Sequence, residues 1–228
     1  TPPAAPSNPG ATAIGANTIT WTWTDASNDE TGFKVYVDPG MVAPTTLQTT
    51  TAADATSWQH NGLNVNTQYS FRVAATNSFG DSGNSNTHIV WTLPAVAVAP
   101  VVNSPTTSTL NVAIGSGDGN PVGTRYALYC PTAARWVQAT GSFGIVPVYQ
   151  TAADWGTKTV TGLNGGTLYS FQARACNGAG FSYLNSPSGS GTTLCSLIVT
   201  SPYGSATPSG ATCPEPGSTV NASVTSPV

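Results

Sequence analysis

The sequence predicts an all-β protein built of two tandem sandwiches, and two observations carry this prediction. The segment 63–80 (LNVNTQYSFRVAATNSFG) returns as 163–180 (LNGGTLYSFQARACNGAG), with Leu, Thr, Tyr, Phe, Ala, Asn and Gly recurring at a spacing of 100 positions. A period of that length is too long for a solenoid unit and suits one small sandwich. Within the segment, apolar residues alternate with other residues, which is the pattern of a half-buried strand.

Both copies of this strand begin with the pattern Leu-x-x-x-Thr-x-Tyr, which suits a tyrosine corner. In that motif a tyrosine near the strand start packs its ring inward, and its hydroxyl bonds an upstream backbone group. We therefore assign the repeated strand to the structural core of each sandwich, together with two tryptophans of an earlier strand. The predicted core residues are Trp21, Trp23, Tyr69, Phe71, Tyr169 and Phe171.

The first domain begins with a lead-in that is rich in proline (residues 1–12), and proline there keeps an edge strand from pairing with another chain. The further predicted strands follow in chain order. Ile19, Trp21 and Trp23 point one way with period 2 and are predicted to form the centre of the core. The loop 25–30 carries carboxylates but lacks the glycine and the terminal acidic ligand of a dedicated Ca²⁺ loop. We therefore predict a solvated loop there and no metal site.

Four segments carry a specific resemblance: 18–25 (TITWTWTD), 28–36 (NDETGFKVY), 63–80 and 91–94 (WTLP). They resemble the B, C, F and G strands of fibronectin type III domains, in the Thr/Ser/Ala-rich style of bacterial secreted proteins. The resemblance covers a tandem pair over residues 1–194. It implies immunoglobulin-like β-sandwiches that lie outside the cell or on its surface, and a scaffold that has many uses.

The second copy departs from this pattern at one core position, because Ile114 stands where the first copy has Trp23. Its next strand keeps an inward-facing triplet, which is Tyr126, Leu128 and Cys130. The fold prediction is therefore the same for both copies.

The predicted domains are 1–94 and 95–194, followed by a C-terminal segment at 195–228. Almost no linker separates the two domains, which predicts a fixed, extended succession. Two strand-like runs in the last segment, 197–204 and 217–224, predict a hairpin that resembles the start of a further bacterial surface repeat. An isolated hairpin is marginal in water. We therefore expect it to pair with the second domain or with another subunit.

Composition excludes several classes of function. Only 7% of the residues are charged, 39% are hydrophobic, and the net charge is −3 with six basic residues. Nucleic acid is not an expected partner, because no basic patch can release counterions. Without a run of 18 apolar residues, we expect no membrane insertion. The chain starts at Thr1 without a signal peptide, as a mature or excised piece would.

The four cysteines, Cys130, Cys176, Cys195 and Cys213, lack the CxxC spacing of a zinc site and are expected to form disulfides in a secreted protein. A Cys130–Cys176 bridge is rejected, because these residues end antiparallel strands about 17 Å apart. Cys130–Cys195 remains open, which leaves Cys176 to pair with Cys213 or with another chain. Cys195–Cys213, the pair nearest in sequence, is the alternative.

No catalytic set is evident, so we predict neither an enzyme nor a cofactor. The two histidines, His60 and His88, lie far from any serine elbow or cysteine in the expected fold. The segment between strand C and the repeated Thr-Ala-Ala-Asp string is longer in the second copy and is the predicted decorated surface. Exposed aromatics that can stack on sugar rings, or pack at interfaces, are Trp58, Trp136, Tyr149 and Trp155. Asn221 lies in a glycosylation-type triplet.

The function predicted from these features is a non-catalytic extracellular structural and interaction module. It is expected to self-associate as a subunit or repeat unit of a surface fibre or layer, with the C-terminal hairpin pairing with a neighbour. The alternative is a spacer or carbohydrate-binding accessory region of a secreted enzyme that degrades polysaccharides, with glycans as partners.

Overall fold

The structure is a computed structural model that describes residues 1–195, 199–201 and 204–206. The chain divides into two compact units. The first unit contains Thr1–Val96 together with two later segments, Gly117–Arg125 and Ala175–Leu184. The second unit contains the rest of the described chain. The predicted domain boundaries at 94 and 194 stay predictions.

Eight strands lie within residues 1–96: β1 (Ser7–Thr12), β2 (Thr18–Thr24), β3 (Gly32–Pro39), β4 (Leu47–Thr50), β5 (Ser57–Asn61), β6 (Gln68–Asn77), β7 (Gly80–Asp81) and β8 (His88–Trp91). They form two antiparallel sheets. One has the order β1-β2-β5, and the other has the order β4-β3-β6-β7 with β8 also paired to β6. Two sheets of this kind define a sandwich.

Residues from both sheets form the core of the first sandwich. On β2, Ile19 and Trp21 are fully buried and Trp23 is 4% exposed, so these three side chains form the inward face that the period-2 pattern predicts. The indole of Trp21 stacks on the ring of Phe71 from β6, with ring centroids 4.8 Å apart. Phe33 from β3 packs against Trp23 with centroids 5.6 Å apart. The core is therefore a cluster of aromatic rings contributed by three strands.

The sequence predicts that strand β6 is buried on one face, but much of its other face is buried as well. Ser70 and Ala74 lie on the face opposite Phe71, yet they are 0% and 2% exposed. The hydroxyl of Ser70 donates to the carbonyl of Asp38 on the neighbouring strand β3, so its polar atom is satisfied. The alternation predicts the inward face of β6, but it does not reveal that its other face is covered.

Ten further strands follow: β9 (Val101–Asn103), β10 (Leu110–Ala113), β11 (Arg125–Cys130), β12 (Arg135–Val137), β13 (Phe143–Gly144), β14 (Gln150–Thr151), β15 (Thr157–Val160), β16 (Leu168–Cys176), β17 (Ser182–Asn185) and β18 (Gly189–Thr192). One sheet has the order β15-β10-β9. The other has the order β13-β12-β11-β16-β17, with β14 paired to β11 and β18 paired to β16.

The described chain is all-β, which confirms the predicted fold class. Among the described residues the only helix is the single turn α1 (Ala152–Trp155). No helix in this part of the chain is long and apolar enough to cross a bilayer.

The second core repeats the first with one difference in its B-type strand. Leu110 and Val112 are fully buried, as the pattern predicts. Strand β10, however, ends at Ala113, and Ile114 beyond it is only half-buried. Directly after Ile114, the backbone of Gly115 lies so close to the carbonyl oxygen of Ala99 that a Cβ would be 2.4 Å from it, so no larger residue fits there.

The string Thr-Ala-Ala-Asp, repeated at 51–54 and 151–154, takes two different structures. In the second copy it opens α1: Thr151 is the N-cap, and its hydroxyl accepts a hydrogen bond from the backbone N–H of Asp154 at 3.1 Å. In the first copy it forms a turn in which Asp54 has a φ of 59°. Identical local sequence is therefore overruled by its tertiary surroundings.

The C-terminal hairpin is tighter than predicted. Strands β19 (Val199–Ser201) and β20 (Gly204–Ala206) pair antiparallel, whereas the sequence predicted that 197–204 is a single run that forms a hairpin with 217–224. The hairpin is a sheet of two strands, and no other strand of the described chain joins it. The second run, 217–224, lies outside the described residues.

Candidate functional site

Both repeated tyrosines make the hydrogen bond that defines a tyrosine corner. The hydroxyl of Tyr69 accepts from the backbone N–H of Asn64 at 2.9 Å, and the hydroxyl of Tyr169 accepts from that of Asn164 at 3.0 Å. The two tyrosines are 5% and 6% exposed, so each ring is buried and each hydroxyl is satisfied. Both tyrosines therefore have the structural role that the sequence predicts.

A second set of hydrogen bonds is also equivalent in the two copies, but the repeat at a spacing of 100 positions does not predict it. The hydroxyl of Thr92 accepts from the backbone N–H of Thr67 and donates to the carbonyl of Asn64. In the second copy, the hydroxyl of Thr193 makes the same two bonds with Thr167 and Asn164. Ser85 and Ser186 each accept from a backbone N–H of the central strand, at 3.1 and 2.8 Å. These pairs are 101 positions apart, because the stretch from Gly80 to Ser85 has one residue fewer than the matching stretch from Gly180 to Ser186. A search at a spacing of 100 therefore misses them.

Three of the four predicted surface aromatics are half-buried, and two of them already have ring neighbours. Trp58 packs against the first core and lies 4.7 Å from the ring of His60. Trp136 has the ring of Tyr129 at 4.9 Å and the guanidinium carbon of Arg174 at 4.9 Å from its ring centroid. These neighbours leave little free ring face for a sugar.

The prediction of Trp155 as an exposed aromatic is wrong. Its side chain is 1% exposed, and its Nε1 donates to the backbone carbonyl of Tyr126 at 2.7 Å. The helical turn α1 directs this side chain into the second sandwich, and Gly156 ends the turn with a φ of 52°. Trp155 is therefore a core residue.

The possible Cys130–Cys195 disulfide is also wrong, and so is a pairing of Cys176 with Cys213. Cys130 and Cys176 are both free and buried, which agrees with the rejection of a bridge between them. Burial raises the pKa of both thiols. Cys130 faces the core at the end of β11 and is fully buried, so it cannot reach a loop partner. Cys195 is not free, and Cys213 lies outside the described residues, so their pairing stays a prediction.

Three carboxylates that are distant in sequence come together beside the loop 25–30. Carboxylate oxygens of Asp25, Glu30 and Asp54 lie within 4.8 Å of one another. Glu30 is 8% exposed, and it accepts from the hydroxyl of Ser27 and from the backbone N–H of Asp54. These hydrogen bonds, the one from Ser27 foremost, hold the pKa of Glu30 below its usual value. Because Glu30 is already partnered, we interpret the group as an organised loop, and nothing further points to a metal.

A cavity of about 260 Å³ opens beside Trp91, and all its lining residues belong to the first unit. Asn66, Thr124, Arg125 and Cys176 lie on its wall with Trp91. Asn66 is 8% exposed, and its Nδ2 donates to the hydroxyl oxygen of Thr124 at 2.6 Å. The Oδ1 atom of the same amide is buried, and no partner for it is present among the described residues.

A second, mostly apolar cavity of about 280 Å³ also has Trp91 in its wall. Ile14, Ile89 and Phe181 contribute to its walls, and Asn177 lines both cavities. Asn177 holds its own loop in place: its Oδ1 accepts from the backbone N–H of Phe181 at 2.9 Å. Phe181 is nevertheless 67% exposed.

Large apolar side chains are exposed in both units. They include Met41, Val42, Phe79, Val122, Ile145, Val146 and Phe181, each more than 60% exposed. Single exposed apolar residues are ordinary on protein surfaces.

Comparison with known proteins supports the fold. Residues 4–91 match the model of the Fibronectin type III domain. A solved segment of two fibronectin type III domains from chicken tenascin superimposes with a TM-score of 0.53 at 15% identity, over 82% of this chain and 97% of that one. The FN1–FN3 domains of chicken CNTN1 match at 21% identity with a TM-score of 0.37, over 86% of this chain and 66% of that one. No curated protein matches the chain.

The fold class follows from the sheets, the tyrosine corners, the family match and the tenascin segment. Residues 4–91 match the Fibronectin type III domain, and the described chain has the fold of tandem β-sandwiches, like the two-domain tenascin segment. The bacterial origin and the further surface repeat that the resemblance implies stay predictions.

Proposed function

We propose that this chain is a non-catalytic extracellular module that self-associates as a subunit or repeat unit of a surface fibre or layer. The hairpin β19–β20 joins a neighbouring molecule in this proposal. The observation that carries it is the hairpin itself, whose two strands form a separate sheet with free outer edges in the described chain. A sheet of two strands is marginally stable alone, and an open strand edge pairs readily with another chain.

Two properties of the surface support the proposal. Only 7% of residues are charged, so little repulsion opposes contact between copies. Apolar side chains such as Val122, at 97% exposed, and Ile145, at 80%, are available for burial. A stable assembly requires an interface of more than about 1,000 Å².

The proposal is tested by light scattering on the full chain and on Thr200→Pro. Thr200 lies opposite Ser205 in the hairpin, and proline removes a backbone N–H from this strand. We expect concentration-dependent growth in mass for the native chain and for the control Thr200→Ser, and a monomer for Thr200→Pro. A native chain that remains monomeric at every concentration contradicts the proposal.

The alternative, an accessory region of a polysaccharide-degrading enzyme, has less support from the predicted aromatics. Trp155 is buried, and Arg174 lies over the ring of Trp136. Glycan binding that is lost in Trp136→Ala and retained in Trp58→Ala would nevertheless favour it.

A further inference from the structure

We propose that strand β5 is the surface that receives the C-terminal hairpin of a second copy of this chain. In this arrangement one strand of the neighbour's hairpin adds to the open edge of the sheet β1-β2-β5 as a fourth strand. This inference rests on the proposed function, which states only that the hairpin joins a neighbour, and it names the site that the hairpin binds.

Strand β5 turns half of its backbone polar groups away from its own sheet. Among the described strands it pairs only with β2. The backbone N–H of Trp23 donates to the carbonyl of Thr56 at 3.0 Å, and hydrogen-bonded pairs alternate with non-bonded pairs along an antiparallel ladder. Every second residue of β5 therefore directs its N–H and C=O away from β2. These residues are Ser57, Gln59 and Asn61. All three are exposed, so the backbone of another chain can reach them.

Strand β5 lacks the features that keep edge strands from pairing with other chains. Such features are proline, charged side chains, bulges and very short length. β5 has five residues, contains no proline, and pairs with β2 in unbroken register. Its one titratable residue is His60, and burial lowers the pKa of this imidazole, so the strand is uncharged at neutral pH. The opposite edge of the same sheet, β1, contains Pro9 and has an irregular register between Ser7 and Gly10.

The other sheet of the first sandwich offers no comparable edge. Strand β4 has an irregular register against β3, and β7 has only two residues. Strand β8 has β1 in contact with it. Among the strands β1 to β8, β5 therefore presents the longest regular edge that no other strand covers.

The second repeat closes the same edge with its own chain. Strand β15 corresponds to β5, and Thr161 follows it at the position that Asn61 has in the first copy. The backbone N–H of Thr161 donates to the carbonyl of Gly141 at 3.1 Å. The backbone of Gly141 also lies so close to the carbonyl of Thr159 that no side chain fits between them. Gly141 belongs to the segment that is longer in the second copy, so the first copy leaves this edge open.

Charge protects the edge of β15 as well. Lys158 stands on β15 at the position that Trp58 has on β5. Lysine is the residue type most typical of protected edge strands. The first repeat therefore lacks both of the protections that the second repeat has at this edge.

The hairpin β19–β20 suits this edge in its backbone and in its composition. Its strands pair only with each other in the described chain, so each has an open outer edge. The six residues of these strands are valine, threonine, serine, glycine and alanine, so neither a charge nor a proline opposes their addition to β5. Main-chain hydrogen bonds supply the affinity when a strand is added in this way.

One hairpin and one receiving edge in each chain make the contact heterologous. Each copy gives its hairpin to one neighbour and receives the hairpin of another. Contacts of this kind repeat into rings or open filaments. Pairing of the hairpin with β5 therefore favours a fibre over a closed pair of chains.

Light scattering on two complementary variants of the full chain tests this pairing. Thr200→Pro blocks the hairpin and leaves β5 intact. Gln59→Pro blocks the edge and leaves the hairpin intact, and the N–H that it removes faces away from β2. We expect each variant alone to be monomeric and their equimolar mixture to form a dimer and nothing larger, because the mixture has only one functional match of hairpin and edge. Gln59→Thr keeps the N–H and should grow in mass as the native chain does.

Ser57→Pro provides a second block of the same edge that is easier for the fold to accept. Ser57 is the first residue of β5, a position where strands tolerate proline. We expect this variant to behave as Gln59→Pro does, alone and in the mixture. An unfolding transition like that of the native chain, followed by tryptophan fluorescence, shows which of the variants are folded.

The outcomes distinguish this inference from the proposed function. A native chain that stays monomeric overturns both. If the folded edge variants grow in mass as the native chain does and Thr200→Pro does not, the proposed function stands and the role of β5 is overturned. A mixture that remains monomeric overturns the pairing of hairpin and edge. Growth that persists in Thr200→Pro and is lost only when β5 is blocked means that another segment occupies this edge, which also overturns the pairing.

Discussion

The hydroxyl of Tyr69 accepts a hydrogen bond from the backbone N–H of Asn64 at 2.9 Å. This bond links the start of the central strand β6 to the loop that precedes it. A phenylalanine keeps the ring but leaves the N–H of Asn64 without its partner. The same geometry recurs 100 positions later, between Tyr169 and Asn164.

Tyr69→Phe should therefore destabilise the first sandwich by about 1 kcal/mol, the usual net value of one hydrogen bond. Urea unfolding followed by tryptophan fluorescence measures the change. Tyr149→Phe is the control, because its hydroxyl has no bonded partner in the described chain, and it should change stability by less than about 0.5 kcal/mol. Equal effects of the two substitutions would contradict a structural role for the corner.

A second prediction concerns the stacked rings of Trp21 and Phe71. Phe71 is fully buried, so Phe71→Ala should cost about 3–5 kcal/mol of unfolding free energy through lost contacts and the cavity left behind. Phe79→Ala removes the same ring from a position that is 72% exposed and should cost less than about 0.5 kcal/mol. Thermal unfolding of both variants checks the contrast. A stable Phe71→Ala would show that the first core is not centred on this pair.

Most of the fold could be predicted from local sequence patterns. The features that these patterns did not predict depend on tertiary contacts. Period-2 alternation predicts the inward faces of β2 and β6, because side-chain direction in a strand follows from the backbone alone. It could not show that Trp155 is buried. That outcome depends on a single helical turn capped by Thr151, and the same four-residue string makes a plain turn in the first copy.

The candidate site could not be predicted from the sequence for a similar reason. The residues on the wall of the cavity, among them Asn66, Arg125 and Cys176, come from separate parts of the chain that only the fold brings together. Asp54 joins Glu30 in the same way. One signal was available: Asn66 replaces the glycine of the second repeat at a left-handed turn position.

A third prediction concerns acid stability. The Ser27 hydroxyl, followed by the backbone N–H of Asp54, lowers the pKa of Glu30 from its ordinary value of 4.5. A carboxylate with a lowered pKa in the folded state stabilises the protein above the unfolded pKa, and this contribution is lost as pH falls through the folded value. The native chain should therefore lose stability as pH drops below about 4.5.

Glu30→Gln should reduce this loss, measured as the difference in urea midpoint between neutral and acidic pH. Asp29→Asn, which neutralises an exposed carboxylate of the same loop, should leave the difference closer to that of the native chain. If Glu30→Gln shows the full acid dependence, the stabilisation does not come from Glu30.

Thiol counting provides a fourth prediction. Cys130 and Cys176 are free and buried, and burial raises the pKa of each thiol, so neither should react quickly with a thiol reagent in the folded protein. On unfolding without a reductant, two thiols per chain should react if Cys195 and Cys213 are paired. Four reactive thiols would exclude that disulfide. None would mean that Cys130 and Cys176 both take part in disulfides, contrary to the structure.

Amide hydrogen exchange at residues 199–206 tests the proposed function most directly. If the hairpin is completed by a neighbouring molecule, its amides should exchange rapidly in dilute solution and become protected as the chain concentration rises, because association stabilises only the assembled form. The sandwich strand β6 should be protected throughout and serves as the internal reference. Protection of the hairpin that is already complete in dilute solution, or that never develops at any concentration, would contradict assembly through this segment.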